Sequence, residues 1–357
     1  MNIAFFGSSL VSAYWNGAAT YYRGILRALN DRGHRIAFYE PDAWDRQKHR
    51  DIDDPPYAQS IVYNADDSDE VLEKVRSAAR GADLLVKASG VGVFDELLEE
   101  AVLEFRGPGK IVVFWDVDAA ATLERLQNDP ADPLRALVPR YDAIFTYGGG
   151  DPVVTRYREL GARDCFPIYN ALDPSTHFPT PHDRRFEADL SFVGNRLPDR
   201  EQRVLEFFFK AAAKNPERRF LLGGNGWQEV AATYRNVTYL GHVYTSDHNS
   251  LNSTPLAVLN VCRDSMARCG FSPPTRVFEA AGAAACLITD AWEGVEKFLA
   301  PERECLIAHD GDEVAALLES LTDVRAREIG AAALKRVMAE HTYAHRAVEV
   351  EKALQGL

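Results

Sequence analysis

Several common functional signatures are missing from this sequence of 357 residues. The first βα turn, FFGSSLVSAYWNG, has no GxGxxG fingerprint, and no GxxxxGK[ST] segment occurs anywhere. The first absence argues against a dinucleotide-dependent dehydrogenase, and the second argues against P-loop chemistry. The five cysteines are odd in number and scattered, with no CxxC pair and no histidines at zinc spacing. We therefore expect reduced, mostly buried thiols.

The sequence also has few features that direct a chain to a membrane or to nucleic acid. The N-terminus, MNIAFFGSS, lacks the basic flank and cleavage site of a signal peptide, and no apolar run reaches the roughly 18 to 20 residues that span a bilayer. The net charge is −13, from 40 basic and 53 acidic side chains, and an acidic surface repels nucleic acid and anionic lipid. We predict a cytoplasmic protein with no membrane span and no nucleic-acid partner.

Short apolar strands alternate with helical segments along the chain. Continuous apolar strands separated by helices indicate parallel sheets covered on both faces. A stretch with four prolines, residues 166–185, interrupts the alternation. The predicted strands are IAFF, RIAFYE, DLLVKAS, KIVVFWD and DAIFTYG before this stretch, and ADLSFVGN, RRFLLGGNG, NVTYLG, PLAVLNV, AACLITD and ECLIAH after it.

This pattern predicts an α/β protein with two Rossmann-like domains that face each other across a cleft. The predicted boundaries are residues 1–168 for an acceptor-side domain, 169–186 for a linker and 187–340 for a nucleotide-sugar-binding domain. Residues 341–357 are predicted to form a C-terminal helix that packs back toward the first domain. Open α/β sheets bind ligands at the carboxyl ends of their strands, so we expect the site at that edge.

The segment ARCGFSPPTRVFEAAGAAACLITD, residues 267–290, carries the most informative functional pattern. It places one carboxylate, Glu279, on a predicted helix that opens with Ser272, two prolines, Thr275 and Arg276. A carboxylate can accept two hydroxyl hydrogen bonds, and the amides of a helix N-terminus attract phosphate. The pattern therefore indicates a nucleotide-sugar enzyme. The alternative is a helix-start glutamate favoured by the helix dipole, with prolines that only begin the helix.

Arginines are the natural partners of a diphosphate because their planar forks match phosphate oxygens. Four of them follow predicted strands or precede Glu279, although a single surface arginine is more often only a solvated charge. Arg263 and Arg276 stand in apolar surroundings, where an unpaired charge is costly. The candidates for phosphate binding are Arg196, Arg200, Arg263 and Arg276.

Glycine-containing turns offer further places where a ligand could approach the backbone. Gly194 and Asn195 end the first strand of the second domain, and Gly17 begins the first long helix of the chain. Glycine permits such close approach because it carries no side chain. We include Gly194, Asn195 and Gly17 among the candidate donor-binding residues.

The order of these motifs resembles the CgeB-like, or spore-maturation-protein-like, branch of the group-one glycosyltransferases. The resemblance runs from FFGSS…NGAATYYRGILRALNDRGH through FWDVDAAATLERL, DLSFVGNRLPDREQRVLEF and LNVCRDSM to SPPTRVFEAAGAAACLITD and HTYAHRA. It covers nearly the whole chain, and RxFEAxxxG with the preceding NxxR is its most specific part. It implies the two-domain GT-B fold.

The resemblance also implies roles for particular residues. Glu279 matches a glutamate that accepts hydrogen bonds from the ribose of the nucleotide, whereas relatives often have a second acid at the position of Phe271. The strand and loop NVTYLGHVY would contact the base through His242 and Val243, with Gly223, Gly224 and Asn225 in the preceding loop. The family generally uses basic residues instead of a metal, so no metal and no cofactor are expected.

The pair Asp116 and Asp118 has three possible interpretations. It matches the DxD of metal-dependent transferases, but this tripeptide often occurs by chance and here follows a strand of the acceptor-side domain. Either carboxylate could instead take the proton of the attacking hydroxyl as a general base. Asp118 could also simply cap the ATLERL helix. We retain Asp118 and Asp116 as catalytic candidates.

We conclude that the sequence predicts a hexosyltransferase-like enzyme that moves a sugar from a nucleotide diphosphate donor to an unknown hydroxyl-bearing acceptor. A sugar-nucleotide epimerase and a non-catalytic nucleotide-sugar-binding protein share the expected architecture and remain alternatives. The residues leave open whether the transfer inverts or retains the anomeric configuration.

Overall fold

The computed structural model describes residues 1–14 and 16–357, which form two compact units. The first comprises Met1–Asn170 together with Tyr343–Leu357, and the second comprises Ala171–Thr342. The stretch assigned to a linker, residues 169–186, is thus divided after Asn170. Residues 171–186 belong to the second unit and include a short 3₁₀ helix, Arg184–Phe186.

The first unit is built on a parallel sheet of seven strands in the order β3-β2-β1-β4-β5-β6-β7. All five strands predicted in this half are present. The sequence patterns missed β3 and β7, because β3 is a half-buried edge strand without a continuous apolar run and β7 is only three residues long. The strands are β1 Asn2–Phe6, β2 Arg35–Asp42, β3 Gln59–Asn64, β4 Leu84–Ala88, β5 Ile111–Asp116, β6 Ala143–Thr146 and β7 Cys165–Pro167.

Amphipathic helices follow these strands and cover the sheet. The first of them buries Tyr21, Tyr22, Ile25 and Leu29 at helical spacing and ends just before Gly33, whose φ is +91°. A positive φ at this position suits glycine, which has no Cβ to clash. The helices of this part are α1 Ala19–Asp31, α2 Ser68–Gly81, α3 Asp95–Ala101, α4 Ala119–Asn128, α5 Pro133–Leu137 and α6 Gly150–Glu159.

The second unit repeats the plan with six parallel strands in the order β10-β9-β8-β11-β12-β13. Each strand predicted for this half is found. The carboxyl ends of the neighbouring strands lie at one edge of the sheet, since every pairing is parallel. The strands are β8 Leu190–Val193, β9 Phe220–Gly223, β10 Val237–Gly241, β11 Ala257–Asn260, β12 Leu287–Asp290 and β13 Leu306–Ala308.

The helices of the second unit enclose an apolar core. A π-helical turn, Leu205–Phe209, joins α7 to α8 and buries three consecutive phenylalanines, which pack with Trp227 and the sheet. Among the described residues, no helix is long and apolar enough to cross a membrane. The helices are α7 Glu201–Val204, α8 Lys210–Lys214, α9 Gln228–Ala231, α10 Thr245–Ser253, α11 Asp264–Cys269, α12 Thr275–Gly282, α13 Gly311–Ser320 and α14 Asp323–Glu340.

The last helix, α15 (Tyr343–Gln355), belongs to the first unit and packs against α1. The Tyr343 ring lies against Gly24 so closely that a β-carbon at position 24 would collide with it. Glu351 on α15 also pairs with Arg32 at 2.5 Å and with His34 at 3.0 Å. An aromatic contact and two polar contacts therefore hold the end of the chain on the first sheet.

Candidate functional site

Two glycine turns meet at the carboxyl edge of the second sheet, where β8 and β9 end. The Asn225 amide donates to Oδ1 of Asn195 at 2.9 Å, and the Trp227 indole donates to the Gly194 carbonyl at 2.7 Å. Gly224 has a φ of +106°, and a β-carbon there would collide with the Gly194 carbonyl. The four predicted residues Gly194, Asn195, Gly224 and Asn225 thus form one surface, and only glycine fits at position 224.

Arg200 lies over this surface and makes no salt bridge with any residue that the structure describes. A β-carbon at Gly194 would be 2.8 Å from its NH1 atom, and its Nε is buried with no hydrogen-bond partner. Burial lowers the pKa of Arg200, and the positive charges of Arg276 and Arg263 lower it further. Three guanidinium groups are therefore close enough to repel one another. Such repulsion prepares a site for an anion, because an anion would relieve it.

The guanidinium of Arg276, on the first turn of α12, is half-buried and makes no side-chain hydrogen bond or ion pair with any residue that the structure describes. Burial lowers its pKa, and the carboxylate of Glu279 partly opposes that effect. Arg276 therefore resembles Arg200, since both groups are charged, desolvated and available to a ligand.

The other two predicted arginines are held by carboxylates. Arg263 pairs through Nε with Asp199 at 2.5 Å, and Arg196 pairs with Glu201 at 2.5 Å. The Arg196 guanidinium also lies over the Trp227 ring. Arg263 still contributes its charge to the cluster around Arg200. The ion pair of Arg196 favours a structural role for it instead of phosphate binding.

The start of α12 is an irregular turn before the helix. Phe271 has a φ of +44°, its amide donates to the Glu293 carbonyl, and its ring packs on Gly294. Ser272 is buried and donates its hydroxyl to the Gly270 carbonyl at 2.9 Å. The Ser272 hydroxyl proton is therefore used within the turn, so the geometry assigns Ser272 a positioning role rather than direct donation to a ligand.

Glu279 is the acidic centre of the site. Only 15% of its side chain is exposed, and its Oε1 lies 4.0 Å from Nε2 of His177. Burial opposes ionisation, but His177, Arg276, His248 and a hydrogen bond from Thr275 outweigh burial and lower the pKa of Glu279. The carboxylate is therefore ionised at neutral pH and can accept hydrogen bonds.

Two histidines beside Glu279 were missed from the sequence. His177 comes from the proline-rich stretch assigned to a linker, and His248 lies on α10. Burial lowers the pKa of His248, and Glu279 partly opposes that shift. The sequence offered one signal, His177 in the segment THFPTPH, which no motif explained. The burial of His177 cannot be predicted from a segment without periodicity.

The residues predicted to contact the base lie after β10. His242 is exposed and makes an edge-to-face contact with Tyr244, with ring centroids 4.8 Å apart. Val243 packs so closely on Gly223 that a β-carbon there would lie 2.6 Å from its Cγ2. The backbone of Val243 also hydrogen-bonds to His248. The loop after β10 is thereby connected to the histidine beside Glu279.

Asp116 and Asp118 belong to the first unit and have different surroundings. Asp116 is fully buried at the end of β5, and its pKa is raised by burial. Its carboxylate accepts hydrogen bonds from Ser89 at 2.8 Å, Thr122 at 2.9 Å, the Asp118 amide at 3.0 Å and Tyr157 at 2.5 Å. These four donors occupy the carboxylate, so we replace the predicted base role of Asp116 by a structural one.

Asp118 is half-buried at the N-cap position of α4, but its side chain makes no capping hydrogen bond. Its predicted role as a base stays a prediction. Gly17 is exposed before α1, in open space where a side chain would meet nothing within 4 Å. Open space gives no reason for glycine at this position, so Gly17 stays an untested candidate. Among the described residues, no cluster of three or more His, Cys, Asp or Glu side chains could hold a metal ion.

A match to a known family covers most of the second unit. Residues 200–352 match the family described as Glycosyl transferase-like, and this range contains Arg200, Arg263, Arg276 and Glu279. No curated protein matches the sequence.

Solved structures with the same fold cover almost the whole chain. Sucrose-phosphate synthase from Thermosynechococcus elongatus matches with a TM-score of 0.72 at 15% identity, over 100% of this chain and 98% of that one. Anabaena HepE in complex with UDP matches with a TM-score of 0.70 at 15% identity, over 100% of both chains. An alpha-glucosyltransferase in complex with UDP-glucose and DNA containing an abasic site matches with a TM-score of 0.70 at 11% identity, over 99% of both chains.

These likenesses establish the fold. Two parallel sheets with flanking helices define the GT-B architecture, so the predicted fold class is confirmed.

Proposed function

We propose that this protein transfers a sugar from a nucleoside diphosphate sugar to a hydroxyl-bearing acceptor. One observation carries the proposal: among the described residues, Arg200 and Arg276 make no salt bridge, and they lie near the mostly buried, ionised carboxylate of Glu279. A nucleoside diphosphate sugar offers both matching groups, since its diphosphate is anionic and its ribose carries two hydroxyls.

The donor would bind along the carboxyl edge of the second sheet. The guanidinium groups of Arg200 and Arg276 would pair with the diphosphate, and the Glu279 carboxylate would accept hydrogen bonds from the ribose hydroxyls. Gly224 would let the backbone approach the ligand. Arginine forks can neutralise the leaving diphosphate, so we propose that the donor needs no metal ion. Asp118 is the proposed acceptor-side base.

The relatives suggest the identity of the donor. Structures of the same fold bind UDP, as in Anabaena HepE, or UDP-glucose, as in the alpha-glucosyltransferase. We therefore propose a UDP-hexose as the first donor to test. The motif order described above supports the CgeB-like branch as the subfamily.

Calorimetric titration with UDP-, GDP- and dTDP-sugars tests donor binding. We expect one nucleotide class to bind, and replacement of Glu279 by alanine to weaken binding about 10- to 100-fold, the loss for a hydrogen bond to a charged group. Circular dichroism should show an unchanged fold. The absence of binding at millimolar concentration would overturn the proposal.

Product analysis separates the transferase from the two other classes. A transferase releases the nucleoside diphosphate faster when an acceptor is added, whereas an epimerase converts the donor without an acceptor and a binding protein leaves it unchanged. Conversion of the donor into an isomeric nucleotide sugar, with no release of nucleoside diphosphate, would favour the epimerase.

A further inference from the structure

An exposed tryptophan lies at the carboxyl edge of the first sheet, on the segment that follows β2. The side chain of Trp44 is 61% exposed, whereas Trp115, Trp227 and Trp292 are at most 6% exposed. Among the tryptophans that the structure describes, Trp44 is thus the one that offers its ring to solvent. Such a ring offers a large apolar face and a polar N–H group to a ligand.

The backbone around Trp44 is held in an unfavourable conformation. Trp44 and Asp45 have φ values of 58° and 55°, in the left-handed region that residues with side chains rarely adopt. The indole leans on Gly92, where a β-carbon would lie 2.9 Å from Nε1. Strained residues of this kind persist only where surrounding contacts hold them, and they are concentrated at functional sites.

Those contacts come from three loops that follow β1, β2 and β4. The buried Arg46 donates from one nitrogen to the carbonyls of Ser8 at 3.2 Å and Val91 at 3.3 Å, which joins the three loops. The loop after β4 is fixed by Asp95, which accepts hydrogen bonds from the Gly92 amide at 2.8 Å and from the buried Lys87 at 2.7 Å. The Trp44 ring is therefore mounted on a rigid base.

A second aromatic contact lies on the loops after β1 and β2. The rings of Tyr14 and His49 stack with centroids 4.1 Å apart, and Tyr14 is 41% exposed. The Ser12 hydroxyl donates to the His49 carbonyl at 2.8 Å and links the same two loops. This edge of the first sheet therefore presents two aromatic surfaces on interlocked loops.

The charges near these rings favour a neutral ligand. Lys48 pairs with Asp45 at 2.6 Å, and Arg50 pairs with Asp54 at 3.4 Å. The third basic residue of the segment 42–54 is the buried Arg46, and the segment carries five acidic residues, Asp42, Asp45, Asp51, Asp53 and Asp54. Acidic residues outnumber lysine and arginine in this segment, so an anionic ligand such as DNA would be repelled.

We propose that the Trp44 indole stacks on the sugar ring of a neutral saccharide acceptor. A pyranose presents an apolar C–H face that packs on an aromatic ring, and its hydroxyls suit the paired charges around the rim. The inference deepens the proposed function and rests on it, since the saccharide would supply the hydroxyl that receives the transferred sugar. Sugar transfer then forms a bond from that hydroxyl oxygen to the anomeric carbon, breaks the bond to the diphosphate and releases the hydroxyl proton.

The test uses the full chain and two variants, Trp44→Ala and Trp44→Phe. With methyl glycosides as acceptors and a UDP-sugar as donor, we expect Trp44→Ala to raise the acceptor KM at least tenfold and Trp44→Phe to restore most of the loss. Donor affinity and the slow transfer to water should stay unchanged. A matched control is Met338→Ala, which removes another exposed apolar side chain, 47% exposed, from α14 in the second unit.

Fluorescence gives a readout that does not depend on turnover. Because Trp44 is exposed, acrylamide should quench it, and bound methyl glycosides should reduce the quenching in the native protein but not in Trp44→Phe. The inference is overturned if no methyl glycoside changes the quenching, if transfer prefers an aliphatic alcohol or a DNA duplex, or if Trp44→Ala dissociates a dimer in sedimentation. If the native protein binds no nucleotide, the proposed function itself is contradicted. Failure of the acceptor inference and failure of the proposed function are therefore distinguishable.

Discussion

The Nε2 atom of His177 lies 4.0 Å from the Oε1 atom of Glu279, inside the second unit and away from most solvent. This contact joins a residue of the proline-rich stretch to the carboxylate of α12. Together with Arg276 and His248 it keeps the carboxylate ionised despite burial, because the combined positive charge lowers the pKa of Glu279.

The ionisation of Glu279 predicts a specific pH dependence of stability. Its pKa in the folded protein lies below the ordinary value of 4.5, so the charged form stabilises the fold above that pH. We expect the difference in unfolding free energy between the native protein and Glu279→Gln to shrink as the pH falls below 4.5, where the carboxylate takes up its proton. Urea unfolding of both proteins between pH 4 and 7 measures this difference, and a difference independent of pH would contradict the prediction.

Arg200 and Arg196 form a matched pair for testing diphosphate recognition. Within the described part of the chain Arg200 makes no salt bridge, whereas Arg196 is paired with Glu201. We expect Arg200→Met to weaken nucleoside diphosphate binding about 10- to 100-fold, since a charge-assisted contact is lost. Arg196→Met should change the Kd by less than about threefold, because Glu201 already holds the Arg196 guanidinium. Equal losses of nucleotide affinity in Arg200→Met and Arg196→Met, measured by calorimetric titration, would contradict the different roles of the two arginines.

The same Arg200→Met substitution should stabilise the ligand-free protein. The buried guanidinium is repelled by Arg276 and Arg263, so its removal relieves a cost of about 1 kcal/mol or more. For a unit of this size that gain corresponds to a rise in Tm of about 2–4 °C. With saturating nucleotide the native protein should have the higher Tm, because the ligand binds it more tightly than it binds Arg200→Met and so stabilises it more. Differential scanning calorimetry with and without UDP measures both, and a lower Tm of the ligand-free variant would argue against the repulsion.

Asp116 and Asp118 should separate into a structural and a catalytic residue. Asp116→Asn leaves hydrogen-bond donors of Ser89, Thr122 or Tyr157 without an acceptor, so we expect a loss of about 1–3 kcal/mol in stability. Asp118→Asn should keep the stability and the donor Kd but slow transfer to the acceptor by about 10²- to 10⁴-fold. Urea unfolding and initial rates measure the two effects. An Asp118→Asn enzyme with full turnover would exclude Asp118 as the base.

The strands were predictable because a buried parallel strand must be apolar over its whole length, and this requirement is visible in four or five consecutive residues. All eleven predicted strands are present in the two sheets. The two strands that the sequence patterns missed, β3 and β7, are edge strands of the first sheet. An edge strand has a neighbour on one side only, so the requirement for apolar residues is weaker there. The position of Glu279 on α12 was predictable for the same reason, since helical spacing is local.

The roles of individual polar residues were less predictable. Arg196 and Arg200 are four positions apart after the same strand, and the sequence treats them alike. Their partners are chosen by side chains that the fold brings near: Glu201 and Trp227 hold Arg196, whereas Arg200 meets two other arginines. Such pairings depend on distances between separate loops, which no local pattern records.

The sequence by itself determined the succession of strands and helices, the GT-B class and the carboxylate on α12, because these features follow from local periodicity and from motif order. Only the tertiary structure decided that Asp116 is saturated with hydrogen bonds, that His177 faces Glu279 and that Arg200 makes no salt bridge among the residues described. The physical reason is that burial and charge pairing are properties of residues distant along the chain, so they take their values only when the chain is folded.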